Sequence, residues 1–414
     1  MSSRLFLNGL FVLLSGLFFA NQSDAMPQFT RKYNLSCDDC HASHTRPRLN
    51  DEGYKFRRAG YRMPDQIGKE EAKEFLLGDY TAARIQLRYT ASQSEDKSVS
   101  PSKKSSGDTM EMRELTLYPM TGSFEKHWGS GVELTFPPEE GPEIENAYLR
   151  GVWGDESAWV EARAGLFHPF EGFGASDRPI SISRPLFQTG TANKNQNTLY
   201  KLWGQDQVGA ELGLQWQNTS LTVSILNGLN VSASDGKVVA HGITADEDNR
   251  KDLLVFANQI LGETTGISLY YSRGYVSLPV DVAGFAADTD ARTWKNTYQR
   301  AAAYGSWGLG NALGLAGYMM GDDKSRQTSG DLEDFKSKGY FAELDYDFKV
   351  LSSFLRWDNF DPSTTTDDDQ IVGLTVGVNF APNEWIHVIP EFQYRKTGSD
   401  LTQTTALLHG VVIY

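Results

Sequence analysis

Short segments in which apolar and polar residues alternate run through the chain from residue 80 to its end. The segments 84–91, 340–348 and 372–380 place an apolar side chain at every second position. A period of two turns successive side chains to opposite faces, so each segment predicts a β-strand with one apolar and one polar face. A soluble sandwich of two sheets has the same alternation, which therefore indicates strands but no particular architecture.

The connections between these segments favour one architecture. Sixteen strands are expected, at residues 80–91, 110–120, 129–138, 144–154, 157–168, 205–217, 219–230, 251–262, 264–275, 297–308, 310–321, 337–349, 350–360, 369–381, 385–397 and 403–414. Tight links (154–157, 217–220, 262–265, 308–311 and 381–384) mostly alternate with long polar ones (169–204, 231–250, 276–296 and 322–336). An even number of such strands, with short turns on one side and long loops on the other, is typical of outer-membrane barrels. We therefore predict an all-β fold, an antiparallel outer-membrane β-barrel of about 16 strands, formed by residues 79–414.

A barrel of this size encloses an aqueous lumen rather than a packed core. The polar faces of the strands would line the lumen, together with charged residues at inward positions: Glu133, Arg150, Glu161, Arg163, Arg356, Asp358, Glu391 and Arg395. Most of these charges are what an ordinary pore lining contains, so they do not by themselves indicate an activity.

The first 25 residues have the pattern of a Sec signal peptide. Arg4 is followed by an apolar run at residues 5–20 and by the small-x-small sequence Ser23-Asp24-Ala25. A membrane anchor is the alternative, but the run is short for a spanning helix and ends in an acceptable cleavage site. We therefore expect export, with Met26 as the mature start, and no later run of 18 apolar residues predicts a transmembrane helix.

The chain has two cysteines, and both lie in the sequence Cys37-Asp38-Asp39-Cys40-His41. This C-x-x-C-H spacing is that of c-type haem attachment, in which two thiols bind the porphyrin and the adjacent imidazole is the proximal iron ligand. A thiol redox pair would be expected in a βαβ domain, which is not indicated, and a zinc site would need a second ligand pair. The motif therefore predicts one covalent haem c bound by Cys37, Cys40 and His41.

Met63 is the predicted second axial ligand of the haem iron. It follows a short helix expected at residues 50–59 and ended by Gly60, so the chain can fold back over the other face of the haem. His44 is too close to His41 in sequence to reach that face. The weaker alternatives are an open sixth position and three other side chains, Met26, His127 and His168.

Charge is unevenly distributed along the chain. Residues 26–63 contain eight Lys and Arg against four Asp and Glu, a net charge of +4, and since the whole chain carries −14, residues 64–414 carry −18. The basic set is small and overlaps the haem motif, which argues against nucleic acid as a partner. Attraction between the basic segment 26–63 and an acidic barrel, together with the short tether at residues 64–79, predicts that the small α-helical head (residues 26–78) plugs the lumen.

The N-terminal sequence resembles one known family, the fused outer-membrane monohaem cytochrome c–porins of iron-oxidising bacteria. The matching residues are Pro27-x-Phe29-x-Arg31, Cys37-x-x-Cys40-His41, Pro47-x-Leu49, Gly53-x-x-Phe56 and Gly60-Tyr61. Residues 164–179 are similar to a porin-like segment. Asn34 departs from the pattern, since the family is expected to have glycine there.

The resemblance implies an electron conduit in the bacterial outer membrane. Fe(II) outside the cell would be oxidised, an oxidoreductase activity, and the electron would pass through the haem to a periplasmic c-type cytochrome. The barrel would contact outer-membrane lipid. Two alternatives remain open, which are outward electron transfer to an extracellular acceptor and a diffusion porin whose haem-bearing head is a plug or a sensor.

Overall fold

The fold consists of a small head and a closed β-barrel. The computed structural model describes residues 27–69, 76–138, 141–169, 183–189, 206–231, 238–240, 250–277, 295–327, 332–364 and 368–414. The predicted signal peptide and parts of every predicted long link lie outside the described residues.

The head contains short helices and one hairpin: α1 (Pro27–Tyr33), α2 (Cys37–Cys40), β1 (His41–Ser43), β2 (Arg46–Leu49) and α3 (Asp51–Arg58), followed by 3₁₀ turns at Pro64–Gln66 and Leu77–Asp79. α3 confirms the helix predicted near residues 50–59. Asn50 caps it by accepting a hydrogen bond from the Gly53 N–H at 2.8 Å, and Gly60 has a φ of +74° just after its end. The β1–β2 hairpin was not predicted. Among the described residues, no helix is long and apolar enough to cross a bilayer.

The barrel elements follow in chain order. They are β3 (Ala82–Asp96), β4 (Lys103–Tyr118), β5 (Gly122–Ser123), β6 (Trp128–Phe136), β7 (Glu143–Asp155), β8 (Ala158–Phe167), α4 (Leu186–Thr189), β9 (Gln207–Trp216), β10 (Thr219–Leu226), β11 (Leu229–Val231), β12 (Val238–Ala240), β13 (Asp252–Gly262), β14 (Thr265–Ser277), β15 (Lys295–Leu309), β16 (Ala312–Gln327), β17 (Leu332–Asp347), β18 (Leu351–Asp361), β19 (Ile371–Asn383), β20 (Ile386–Thr397) and β21 (Leu401–Ile413). Without the very short β5, β11 and β12, sixteen strands remain in the part of the chain that is described.

Antiparallel pairing of neighbouring long strands continues around the barrel until β21 pairs with β3, from Leu401 opposite Asp96 to Ile413 opposite Arg84. The predicted closed barrel and all sixteen predicted strands are therefore confirmed. The short links and the start of β3 lie at one end of the barrel, the turn end. The described strand ends that the predicted long links join lie at the other end, the loop end.

Two hairpins extend farther than the sequence pattern predicts. β3 and β4 remain paired up to Asp96 and Lys103, beyond the predicted strand ends at residues 91 and 110. β16 continues to Gln327 and β17 begins at Leu332, so the predicted link at 322–336 is wrong for most of its length. These extensions are mostly polar, with Leu332 and Phe335 as their apolar residues, and backbone pairing does not require an apolar face.

The two faces of the strands differ in the way the alternation predicts. On β17, Leu344 is 55% exposed on the outer face, whereas Glu343 and Asp345 are buried on the inner face. Seven of the charged residues predicted to line the lumen are buried, and Arg395 is half-buried: Glu133, Arg150, Glu161, Arg163, Arg356, Asp358 and Glu391. The outer surface is therefore the apolar surface that a bilayer requires.

Part of the lumen is filled by the segment 183–189. Arg356 donates a hydrogen bond to the Ser183 carbonyl oxygen at 2.6 Å, and Asp358 accepts one from the Leu186 N–H at 2.9 Å. Phe187 then packs against Phe341, with ring centroids 5.6 Å apart. These side chains belong to an apolar cluster inside the barrel: Tyr148, Phe167, Leu186, Phe187, Leu226, Leu254, Phe256, Tyr270, Ala302, Tyr304, Leu315, Met319, Phe341, Phe360 and Ile371.

The head contacts the turn end of the barrel around its circumference. Three groups of the head donate hydrogen bonds to backbone carbonyl oxygens of the turns: Arg62 to Trp128 (3.0 Å), the Asp51 N–H to Glu263 (2.9 Å) and Arg46 to Asn311 (2.7 Å). Two pairs of hydroxyl groups also lie within hydrogen-bond distance. Those of Thr45 and Ser352 are 2.5 Å apart, and those of Tyr54 and Ser220 are 2.9 Å apart. Ala59 and Ile67 pack with Val152 and Trp159 on β7 and β8. The contacts therefore involve hairpins from β4–β6 round to β17–β18.

Replacement of Leu355 by arginine should destabilise the barrel by about 2–4 kcal/mol, because a charge midway along a strand would face hydrocarbon. Leu355 lies at the middle of β18 and is 50% exposed on its outer face. The control is Ser353→Arg, two residues nearer the turn on the same face, with an expected cost of about 0–1 kcal/mol. Urea unfolding in lipid vesicles measures both, and equal costs would contradict the assignment of this face to lipid.

Candidate functional site

Cys37 and Cys40 lie at the two ends of the single-turn helix α2. The Ser36 N–H donates to the Asp39 carboxylate at 2.7 Å, which fixes the start of this turn, and the chain becomes extended at His41. Cys37 is buried and Cys40 is half-buried, and the two are not joined by a disulfide. One helical turn therefore brings the two thiols near one another, followed directly by the imidazole.

The thiol of Cys40 does not have the environment of a reactive thiolate. Burial, and to a lesser extent the carboxylates of Asp39 and Glu52, raise its pKa to about 12. Redox-active C-x-x-C pairs instead have thiols whose pKa is lowered by nearby positive charge or a helix N-terminus. The site is therefore a poor match to the thiol redox alternative.

His41 is oriented by a backbone carbonyl. Its Nδ1 lies 2.9 Å from the carbonyl oxygen of Pro47, across the β1–β2 hairpin, and since a carbonyl only accepts, Nδ1 is the donor. The remaining ring nitrogen, Nε2, then has the lone pair that can bind a metal, and a hydrogen bond of this kind is typical of metal-bound histidine. Burial lowers the pKa of His41, which favours the neutral form that a ligand needs.

Two residues that the sequence analysis did not assign hold the motif against α3. The Asn50 side-chain amide donates to the carbonyl oxygens of Asp38 and Asp39 at 3.3 Å and of His41 at 3.2 Å. Gly53 lies so close that a Cβ added there would overlap the Cys40 carbonyl oxygen. Asn50 can be recognised in the sequence as an N-cap, because it stands before an acidic first turn. Its three contacts with carbonyl oxygens and the close approach of Gly53 to Cys40 have no local sequence signal.

Met63 lies half-buried before the turn at Pro64–Gln66. Its neighbour Arg62 is fixed to the β4–β6 turn, whereas Thr45, on the hairpin next to His41, accepts a hydrogen bond from Asn379 on β19 at 2.6 Å. The segments that carry Met63 and His41 are therefore anchored to different strands around the turn end. The assignment of Met63 as the second axial ligand stays a prediction.

The other axial candidates have partners elsewhere. The N–H of His44 donates to the Asp38 carboxylate at 2.5 Å, and the side-chain hydrogen bond between the same residues raises the pKa of His44 and lowers that of Asp38. His127 Nδ1 donates to the Val152 carbonyl oxygen at 2.9 Å, and His168 lies 3.5 Å from an Asp206 carboxylate oxygen. Met26 lies outside the described residues.

Buried ion pairs join the head to the lumen wall. Arg58, at the end of α3, pairs with Glu161 on β8, and Arg150 on β7 lies 3.6 Å from the same carboxylate. Arg46 pairs with Asp345 on β17. The predicted attraction between the basic head and the acidic barrel is thus realised in specific pairs, although the sequence did not indicate which residues would meet.

The donor set fits a c-type haem. This cofactor needs two thiols separated by one helical turn and an imidazole that follows them directly. The His41 imidazole also has its Nδ1 hydrogen-bonded to the Pro47 carbonyl oxygen, which leaves Nε2 for the iron. The fit is supported by Asn50 and Gly53, which hold the motif backbone in place.

Comparison with solved structures identifies the barrel as a known fold. The outer membrane channel DcaP of Acinetobacter baumannii matches with a TM-score of 0.51 and 13% identity, over 81% of this chain and 97% of that chain. The anion-selective porin of Comamonas acidovorans matches with a TM-score of 0.52 and 10% identity, over 81% and 99%. No family model and no curated protein matches the sequence. The chain therefore has the fold of outer-membrane porins.

Proposed function

We propose that this protein is an outer-membrane electron conduit with one covalent haem c. The signal peptide is residues 1–25, the haem-bearing head residues 26–78 and the barrel residues 79–414. Electrons move between extracellular Fe(II) and a periplasmic c-type cytochrome, so the protein acts as an Fe(II)-oxidising oxidoreductase. The observation that carries the proposal is the motif geometry, two thiols on one turn and an oriented imidazole, at the turn end of a porin-type barrel.

The protein's own residues supply position and shielding. Cys37 and Cys40 would hold the porphyrin, and His41 Nε2 would bind its iron while Nδ1 keeps its hydrogen bond to the Pro47 carbonyl oxygen. The haem supplies one-electron chemistry. The contacts between the head and the turns would hold this site at the turn end of the barrel, between a donor on the loop side and a partner on the turn side.

Cys37→Ala and Cys40→Ala should each strongly lower the covalent haem content, because each removes one of the two thioether bonds and breaks the C-x-x-C-H motif. His41→Gln should alter the haem spectrum by removing the proximal ligand, and His44→Gln is the matched control that should leave it unchanged. Haem staining and spectra of the outer-membrane fraction measure these effects. A wild-type barrel without haem would contradict the proposal.

The direction of electron flow has its own test. Reduced and oxidised protein are mixed without oxygen with Fe(II) and with Fe(III), and the haem bands are followed. Reduction by Fe(II) supports inward flow, whereas rapid oxidation by Fe(III) supports outward transfer to an extracellular acceptor.

A diffusion porin with a haem-bearing plug is the alternative function, and the barrel fold agrees with it. Planar-bilayer conductance separates the two. A closed lumen supports the conduit, and large steady currents with the head in place support the porin.

A further inference from the structure

A set of aromatic side chains leads from α3, which packs against the haem motif, into the lumen. Gly53 touches the backbone of Cys40, and Phe56 follows one turn later on the same face of α3. The Phe56 ring lies edge-on to Phe29, with centroids 5.0 Å apart, and Phe29 stacks on Tyr61 at 5.1 Å and 19°. Tyr61 is thus the last member of this set within the head.

Tyr61 reaches the barrel wall directly. Its hydroxyl oxygen lies 2.7 Å from that of Tyr148 on β7, a hydrogen bond between two side chains 87 positions apart in sequence. The Tyr148 ring is 6.4 Å from that of Phe167, edge-on, and both belong to the apolar cluster against which Tyr61 packs. Through this one contact the aromatic set of the head becomes continuous with the aromatic set of the lumen.

Tyr148 is also flanked by two cations. The guanidinium carbons of Arg163 and Arg150 lie 5.2 and 5.5 Å from its ring centroid. Positive charge over a ring disfavours removal of an electron from it. Tyr148 is therefore unsuited to hold a long-lived radical, so its part in an electron transfer would be that of a bridge.

We propose that Tyr61 and Tyr148 form the junction through which electrons pass between the loop side of the lumen and the head, an inference that rests on the proposed function. Aqueous Fe(II) on the loop side loses one electron and becomes Fe(III), and that electron reduces the haem iron from ferric to ferrous. A ferric c-type cytochrome on the turn side then accepts the electron. The two tyrosines end each transfer unchanged and keep their hydroxyl protons.

Two substitutions at Tyr148 test the ring and the hydroxyl separately. Haem-loaded protein is placed in liposomes, and stopped-flow absorbance follows haem reduction by Fe(II) added on the loop side. Tyr148→Leu should slow this reduction by about tenfold, since it removes the bridging ring, and Tyr148→Phe by less, since the ring remains. Phe354→Leu is the matched control, a buried aromatic that packs with Ile389 in a separate cluster, and should have the wild-type rate.

Two further measurements exclude a structural origin. The equilibrium reduction potential of the haem and the resistance of the head to protease should be the same in Tyr148→Leu as in wild type. A wild-type rate in Tyr148→Leu, or a slower rate accompanied by a shifted potential or an exposed head, would overturn the junction. A wild-type haem that turn-side reductants reduce but loop-side Fe(II) does not would instead refute the proposed function, and this inference with it.

Discussion

Gly53→Ala should lower covalent haem content by about tenfold or more, because the added methyl group overlaps a backbone atom and no flexible side chain can move away from it. The overlap is with the Cys40 carbonyl oxygen, so α3 and the haem motif must separate. That movement breaks the Asn50 contacts that hold His41 and the two acidic residues between the cysteines. Haem staining per folded barrel, with folding judged by heat-modifiable gel mobility, measures the effect.

The control for Gly53→Ala is Gly107→Ala. An added Cβ at Gly107, on β4, meets no atom within 4 Å, so haem content should remain at the wild-type level. Normal haem content in Gly53→Ala would show that the motif does not need its close contact with α3.

Glu161→Gln should release the head from the barrel. The substitution removes the carboxylate charge that the buried guanidinium groups of Arg58 and Arg150 share, and loss of one partner of a buried pair costs about 3–5 kcal/mol. We expect the head to become sensitive to protease added at the turn end. Steady conductance should also appear in planar bilayers, because the lumen is no longer covered.

Two comparison variants define the cause. Lys55→Met removes an α3 cation whose only ion-pair partner among the described residues is Asp51, at 3.5 Å. Such a pair contributes about 0.3–0.5 kcal/mol, so this variant should leave the head protected from protease. The double variant Arg58→Met with Glu161→Leu replaces two of the charges by apolar groups and should recover part of the protection. Protection and conductance unchanged in Glu161→Gln would contradict the role of this pair.

The strands could be predicted from sequence because their signal is local. Each barrel strand has one face toward lipid and one toward the lumen, so apolar and polar residues alternate in segments such as 372–380. The prediction failed where this asymmetry ends, in the mostly polar extensions of β3–β4 and β16–β17. There the backbone pairing continues although the alternation of apolar and polar residues has ended.

Only the Cys37-x-x-Cys40-His41 part of the candidate site could be identified from the sequence. Cys37, Cys40 and His41 are adjacent in sequence, so their spacing alone defines a motif. The pairing of Arg58 with Glu161 and the insertion of the segment 183–189 into the lumen join residues far apart in sequence, and no local pattern encodes them. At Asn34 the structure explains a departure from the family pattern. Its φ of +55° lies in the left-handed region, which glycine adopts most readily and which asparagine tolerates.

The anchoring of Thr45 determines the order of biogenesis. Thr45 is bound to Asn379, 334 positions later in the chain, so the head reaches its final position only after the last hairpins have formed. In that position Cys37 is only 6% exposed, too little for an enzyme to reach its sulfur. On the proposed function, a haem bound by these thiols would therefore be attached in the periplasm before the barrel closes, and barrel closure would then make the attachment inaccessible to repair or exchange.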